Sequence, residues 1–470
     1  MLLAAEENAV PILASIYNEC LKNERTSTSM SDSIVRLLHK KGSCLDIGNY
    51  RPVALMSTIH KIFTSILRRR AERSLEEAQP IEQTGFRPGY STSENTLVVS
   101  EMIQKSHEYR FPLFLMFIDY KKAFDSVEFG SLWTALSEFG VHSKIVNTLK
   151  NIYDEAKVSV RIRGHDVPVQ IGRGVRQGDT ISPNLFNATL EHVFRRLDWS
   201  EHGISVNGTP LTHLRFADDI VLFASSSKKL EEMANQLATE SKKSGLIINF
   251  SKTYIMSNRA KRRVEVDGKE VSYVDQFTYL GTHLHFAEGF KTELLRRIQS
   301  AWAVFHKFSI YLTKKTTPLK NKVKIYQACI EPALLYGSEV WTLKKTEMNM
   351  LATAQRKMMR RMLGVTLMDR RPNSWLHEML KMRDARMVAT RRKWFFAKKI
   401  VTGEETWAKK IVEWRPWEKK RSVGRPRARW RDDFRSVLGE NWSTVARNNK
   451  ELFKSTMIQQ SLFLISLMSE

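Results

Sequence analysis

The 470-residue sequence predicts a mixed α/β (α+β) body followed by a mainly helical, basic extension. Three observations support this. Up to about residue 288, segments with apolar residues at helical spacing alternate with short aromatic-aliphatic runs that read as strands. Beyond residue 290 the strand-like runs give out. The charge changes at the same place: residues 1–290 carry 36 Lys and Arg against 34 Asp and Glu, residues 291–470 carry 39 against 16. Interleaved strands and helices build a layered core, and a one-sided basic excess fits a surface that follows a phosphate backbone. The chain is thus divided into an N-terminal helical extension (1–34), the α/β body (35–288), a helical segment (289–370) and a basic helical region (371–470). The last boundary falls near Arg370-Arg371-Pro372.

Taken in order, residues 1–40 read as helix, from the apolar spacing in AVPILASIYNECL and again in SDSIVRLLHK. Gly42, Gly48 and Pro52 punctuate a loop that enters a strand at NYRPVAL. TIHKIFTSILRRRAERSLEEA and STSENTLVVSEMIQKSHEY are expected as helices, the second opening on Ser and Thr able to cap it. Residues 111–119 read as a strand, and SLWTALSEFG as a helix stopping near Gly140. Residues 157–171 alternate in strand fashion and turn at Gly164. Ser182 is placed as N-cap and Pro183 as first helical residue of the next helix. HLRFADDIVLFAS reads as two strands folded back around Ala217-Asp218-Asp219. Helix KKLEEMANQLATESKKSG then ends on Gly245, and LIINFSKT reads as a strand.

Composition narrows the function. No apolar stretch approaches the roughly 20 residues that cross a bilayer, and MLLAAEENAV lacks the basic flank and long apolar run of a signal peptide. Cys20, Cys44 and Cys329 are too few and too scattered for a disulfide framework or a zinc knuckle. An intracellular protein without a membrane partner is expected, in nucleus or cytoplasm. KKRSVGRPRAR would serve equally as an import signal or as a nucleic-acid contact.

Asp119, in FLMFIDYKKAFDS, and Asp218-Asp219, in LRFADDIVLFA, carry the chemistry. Each lies at the end of an apolar strand-like run, where a carboxylate is unfavourable unless a cation compensates it. Two such strands side by side would converge carboxylates on one point, the donor set that divalent metals need for in-line phosphoryl transfer. Asp125 is expected as a helix N-cap beside this site.

In this order and spacing, FIDYKKAFD, GVRQGDTISPNLF and FADD resemble the reverse transcriptase of non-LTR (LINE-type) retrotransposons, with wording closest to the RTE-like clade. NYRPVAL, QTGFRPGYST, GLIINFSKT and FTYLGT fit the same pattern, and the similarity runs from about residue 30 to residue 440. The resemblance implies a right-hand polymerase with fingers and palm around a central antiparallel sheet, then a helical thumb. It implies RNA-directed DNA synthesis from an RNA template, a DNA primer and a dNTP, with two Mg²⁺ (Mn²⁺ as an alternative) held by Asp119, Asp218 and Asp219. Around the dNTP it places Arg51 with Lys41 assisting, Tyr120, Gln177 beside Gly178, and Phe124. Phe124 is either the aromatic gate against a ribose 2′-hydroxyl or a core residue. Lys252 is either a general acid near pyrophosphate or a plain surface lysine. Arg87 touches the template backbone or forms a salt bridge within the fingers. Tyr279, Leu280 and Gly281 match the primer-grip turn.

Nine of the eleven tryptophans follow residue 290. Trp302, Trp341 and Trp375 are expected in a core, and GRPRARW, with Arg425, Arg427 and Arg429, on nucleic acid. Related elements carry an endonuclease ahead of the polymerase, and none is visible here. The tail SLFLISLMSE also departs from the family pattern, as in a truncated copy. Two rival functions remain: a catalytically inactive nucleic-acid-binding remnant, and a maturase-like RNA-binding protein.

Overall fold

Residues 33–39 carry apolar side chains at a spacing that helix and strand share, and tertiary pairing decides for the strand. In a computed structural model, which describes residues 6–40, 42–162, 164–416 and 427–466, β1 (Ser33–His39) pairs antiparallel with β2 (Tyr50–Met56) along its whole length, from Ser33↔Met56 to His39↔Tyr50. The helical expectation for SDSIVRLLHK is therefore corrected. Its β-branched Ile34 and Val35 suit a pleated surface, and helix is confined to Glu6–Asn23 and the single turn Thr28–Ser31. Helices Thr58–Ala78 and Thr92–Glu108 form as the periodicity predicts.

The central strand β3 (Phe114–Ile118) is buried at all five positions. β4 (Val158–Ile162) and β5 (His165–Val169) return to the first sheet, whose order is β2-β1-β4-β5. After the small hairpin of β6 (Ile204–Val206) and β7 (Thr209–Leu211), β8 (His213–Phe216) and β9 (Asp219–Ala224) fold back on each other. β9 lies antiparallel to β3, from Phe114↔Ala224 to Ile118↔Ile220. The other edge of β3 pairs with β10 (Tyr254–Ser257). Short hairpins follow: β11 (Glu265–Val266) with β12 (Lys269–Glu270), then β13 (Ser272–Tyr273) on the sheet edge, then β14 (Gln276–Tyr279) with β15 (Thr282–His285). The central sheet runs β13-β10-β3-β9-β8.

Both faces of that sheet are covered, and the two-residue period of the strands sorts side chains between two cores. Leu115, Phe117, Val221 and Phe223 join one core with helix Thr92–Glu108 and the helices beyond residue 290. Phe114, Met116, Ile118, Ile220 and Leu222 join the other, with Phe63, Phe186 and Met233. Each such side chain contributes about 1.5–3 kcal/mol by burial, which rigidly fixes the strand ends. Among the described residues no helix is long and apolar enough to cross a membrane.

Three smaller expectations shift. The strand expected in LIINFSKT starts only at Tyr254, because Asn249–Lys252 makes a turn first. Ser182 is the first helical residue and Ile181 takes the cap position. Asp125 lies inside the short helix Ala123–Ser126, whose cap position is Lys122.

From Lys291 onwards the described elements are helices, beginning with Lys291–Lys307 and Lys345–Leu363. They share one continuous core with the palm side of the sheet. Trp341, Trp394, Trp430 and Trp442 are buried in it, and Trp302 and Trp375 pack half-buried against it.

Candidate active site

Register brings the three aspartates together. Ile118 faces Ile220 across β3 and β9, so Asp119 leaves β3 at the level where Asp219 enters β9. Asp219 is in turn opposite Phe216 across the hairpin, and Ala217 and Asp218 form its two-residue turn. That tight reversal puts Ala217 at φ 57°, a left-handed conformation uncommon for a residue with a Cβ. The carboxylates repel one another. Burial, with Asp119 adding to it, raises the pKa of Asp218, partly offset by Arg51 and Lys252. Burial together with Asp218 and Asp119 pushes Asp219 up to about 7.

Asp119 is answered from the interrupted segment before β10. Its Oδ2 accepts from Asn249 Nδ2 at 3.1 Å and lies 3.4 Å from Lys252 Nζ, while the Asn249 N–H donates to the Asp119 carbonyl at 2.7 Å. The break in the expected strand thus delivers two polar side chains to the site. Asn249 was not anticipated. The sequence signal for it is a polar cluster cutting short an apolar run.

The loop before helix Ser182–Phe194 forms a wall against β2 and the short helix that follows Asp119. Gln177 donates through Nε2 to Asp125 Oδ1 at 2.7 Å, and its carbonyl accepts from Ala54 N–H at 2.8 Å. A Cβ on Gly178 would stand 2.8 Å from the Ala54 carbonyl oxygen, so only glycine lets the loop lie this close to β2. Behind it Asp179 is buried, accepting from Thr64 Oγ1 at 2.6 Å and paired with His60 Nε2 at 3.0 Å. Burial alone would raise that carboxyl; His60, Thr64 and Arg176 outweigh burial and hold it below its usual range. Burial raises Asp125, against Gln177, Lys122, Lys40 and Arg51. Three cations therefore surround this wall, of which Arg51 alone was expected.

Phe124 is half-buried and stacks on Phe186, with centroids 4.6 Å apart and rings inclined 10°. Tyr120 does not face the site: one residue beyond Asp119, it points to the other side, is buried, and pairs its hydroxyl with Ser241 Oγ at 2.6 Å. Strand alternation is the reason. Tyr279 is likewise buried, against Phe117. Leu280 and Gly281 carry the turn with φ 46° and 78°. Tyr336 Oη donates to the Leu280 carbonyl at 3.0 Å, and Arg296 and Arg297 donate to that of Gly281.

Arg87 resolves towards the salt bridge. It pairs with Glu76 at 2.9 Å and donates to the carbonyls of Pro80 and Gln83. Arg429 is turned inwards onto Glu108, and Trp430 is buried, which corrects the expectation that both face nucleic acid. Arg427 is exposed and donates to the Ala287 carbonyl at 3.2 Å. Lys41 and Arg425 lie outside the described residues.

Among the described residues no three His, Cys, Asp or Glu side chains converge tightly enough to hold a metal ion as they stand. The donor chemistry nevertheless fits one. Hard carboxylate oxygens that destabilise each other's charge are what a divalent cation relieves, and Lys252 supplies a cation at Asp119 meanwhile.

Residues 38–284 match the family model described as reverse transcriptase (RNA-dependent DNA polymerase). A transposon-derived protein of Caenorhabditis elegans is 34% identical over 52% of this chain and 95% of its own length. The RNA-directed DNA polymerase from mobile element jockey of Drosophila funebris is 26% identical over 76% of this chain and 40% of its own. The Pol polyprotein from retrotransposable element R2 of Nasonia vitripennis is 28% identical over 57% of this chain and 27% of its own. The chain thus spans less than half the length of the two polymerase relatives. Among solved structures, apo telomerase from Candida tropicalis aligns with a TM-score of 0.43 and 11% identity, over 86% of this chain and 72% of that one.

Proposed function

This chain belongs to the reverse transcriptase (RNA-dependent DNA polymerase) family, and from that premise we propose that it extends a DNA primer along an RNA template in the manner of a non-LTR retrotransposon polymerase. The observation that carries the reading is the convergence of Asp119, Asp218 and Asp219 at one end of the β3–β9 pair. Reverse transcriptases use divalent metal ions. Here Asp119, Asp218 and Asp219 would hold two Mg²⁺, which supply charge neutralisation at the attacking and leaving oxygens.

The chain's own residues would do the rest. Arg51, Lys40 and Lys122 form a cationic edge for the triphosphate. The Gln177–Gly178 loop, braced by Asp179 and His60, positions the nascent pair. Phe124, held flat by Phe186, stands where a ribose 2′-hydroxyl would collide. Lys252 can leave Asp119 when metal arrives and donate a proton to departing pyrophosphate.

Purified protein given Mg²⁺, dNTPs and a DNA primer on an RNA template should lengthen the primer. Tight binding of that duplex without extension, in Mg²⁺ or Mn²⁺, would establish the inactive remnant instead.

A further inference from the structure

Phe86 belongs to no interaction described so far, yet the chain around it is held firmly at the site. The Gln83 side-chain carbonyl accepts from both Ala217 N–H, at 3.0 Å, and Gly85 N–H, at 2.9 Å. Thr84 N–H donates to the Arg215 carbonyl at 3.0 Å, and Asn187 Nδ2 donates to that of Gly85 at 2.8 Å. A Cβ on Gly85 would sit 2.1 Å from the Ala217 nitrogen, so this loop lies directly on the turn that carries Asp218. On its other side Arg87 is tied to Glu76, Pro80 and Gln83.

Between these two anchors Phe86 takes φ +59° and remains 48% exposed. A left-handed backbone is an outlier for so bulky a residue, and water contact is unfavourable for its ring. Two local costs at one residue, beside a carboxylate turn, mark a position shaped for something other than packing. The ring is not isolated either. It meets Phe124 edge-on, with centroids 6.0 Å apart and an 84° angle, and Phe124 stacks on the buried Phe186. Three rings therefore lead from the core to the surface, the outermost half-open to solvent.

The geometry points to Phe86 as a nucleotide-contacting residue that packs against the base and sugar of the incoming dNTP, forming an aromatic corner with Phe124. This rests on the polymerase reading above. The neighbours select the uncharged part of the nucleotide. Arg51, Lys40 and Lys122 act on Asp125, Arg51 and Lys252 act on Asp218, and what Phe86 and Phe124 add between them is apolar ring surface. An aromatic face also accepts any base, as a templated polymerase requires.

Two measurements test it. First, 5-iodo-dUTP photo-crosslinked to the Asp218→Asn protein on primer–template should label the peptide containing Phe86. Labelling from a 4-thiouridine at the templating position, without labelling from the dNTP, reassigns Phe86 to the template and overturns the proposal. Second, Phe86→Ala should raise KM for each dNTP about 10-fold with kcat within about twofold, and Phe86→Trp should restore it. An unchanged KM refutes the contact. So does a variant that admits ribonucleotides as a Phe124 variant would, with no crosslink, because Phe86 would then act only by bracing Phe124. Wild-type protein that never extends a primer counts against the polymerase reading, and the crosslink still decides Phe86.

Discussion

The palm and the basic C-terminal region both attract attention in the sequence, and they use their charged residues in opposite ways. In the palm, Asp119, Asp218 and Asp219 come from two segments about a hundred residues apart and gather at one strand end, with partial exposure and too few cations. Their repulsion is unresolved within the chain. In the C-terminal region several donors among the described residues are already answered, although the 39 Lys and Arg against 16 Asp and Glu beyond residue 290 leave most of the positive charge over. Lys399 meets Glu94 at 2.6 Å, Arg429 meets Glu108, Lys393 meets Asp433 at 2.6 Å, and Trp407 Nε1 donates to Glu82 at 2.8 Å. Glu94, Glu101 and Glu108 recur every seven residues along helix Thr92–Glu108, one stripe facing the docked region. Unsatisfied charge indicates a ligand, and satisfied charge indicates an internal interface. Net charge alone does not distinguish them.

Breaking the palm side should have the largest effect. Asp218→Ala should lower primer extension by about 10³-fold or more, with circular dichroism and thermal midpoint near wild type, since removing one of three repelling carboxylates relieves strain. Extension surviving that change removes the site. Next in size is the steric role of Phe124. Phe124→Val should raise ribonucleotide incorporation about 10²-fold relative to deoxynucleotides, read as the ratio of kcat/KM values. A ratio that stays fixed would leave Phe124 as a packing residue on Phe186.

Much of this division was legible beforehand, and the misses share a cause. The helices Thr58–Ala78 and Thr92–Glu108, the hairpin about Asp218, and the change at residue 290 rest on long periodic or strongly punctuated stretches, which local preference decides. β1 departs from the helical expectation because its seven residues fit either period and only pairing with β2 and β4 settles it. Tyr120 turns away from the site because side-chain alternation continues one residue past Asp119. Arg429 turns inwards because an acidic stripe over three hundred residues away in the chain receives it, and Trp430 is buried by Phe396, Phe434 and Trp442, which only the folded helices bring together. No local pattern carries that information.

The C-terminal side can be sharpened without deleting it. Removing residues 371–470 would strip a shared core containing Trp394 and Trp430, so loss of RNA binding in such a fragment would not report on charge. A double-mutant cycle does. Arg429→Ala and Glu108→Ala should show a coupling of about 1–3 kcal/mol in urea unfolding, while RNA affinity changes less than about twofold. If Arg429→Ala instead weakens RNA binding and lowers the salt slope by about one, the arginine serves nucleic acid after all.

The smallest effect concerns Lys105, the one cation on the palm helix itself that the docking buries. Its Nζ reaches the Ile411 carbonyl and lies 3.4 Å from Glu101. Burial, against the pull of Glu101 and with Arg431 and Arg429 adding to it, lowers its pKa to about 8. In the unfolded chain a lysine titrates near 10.4. Between those values the unfolded state holds a proton that the folded state has released, so stability should rise with pH there and be lost again as pH falls through about 8. The slope can approach about 1.4 kcal/mol per pH unit. Lys105→Met, close in volume and without charge, should flatten the difference in urea midpoint between pH 8 and pH 10 relative to wild type. Other tyrosines and lysines titrate in both proteins, so the comparison isolates Lys105. Equal slopes would mean that water reaches this ammonium and that the docked face is looser than its ion pairs suggest.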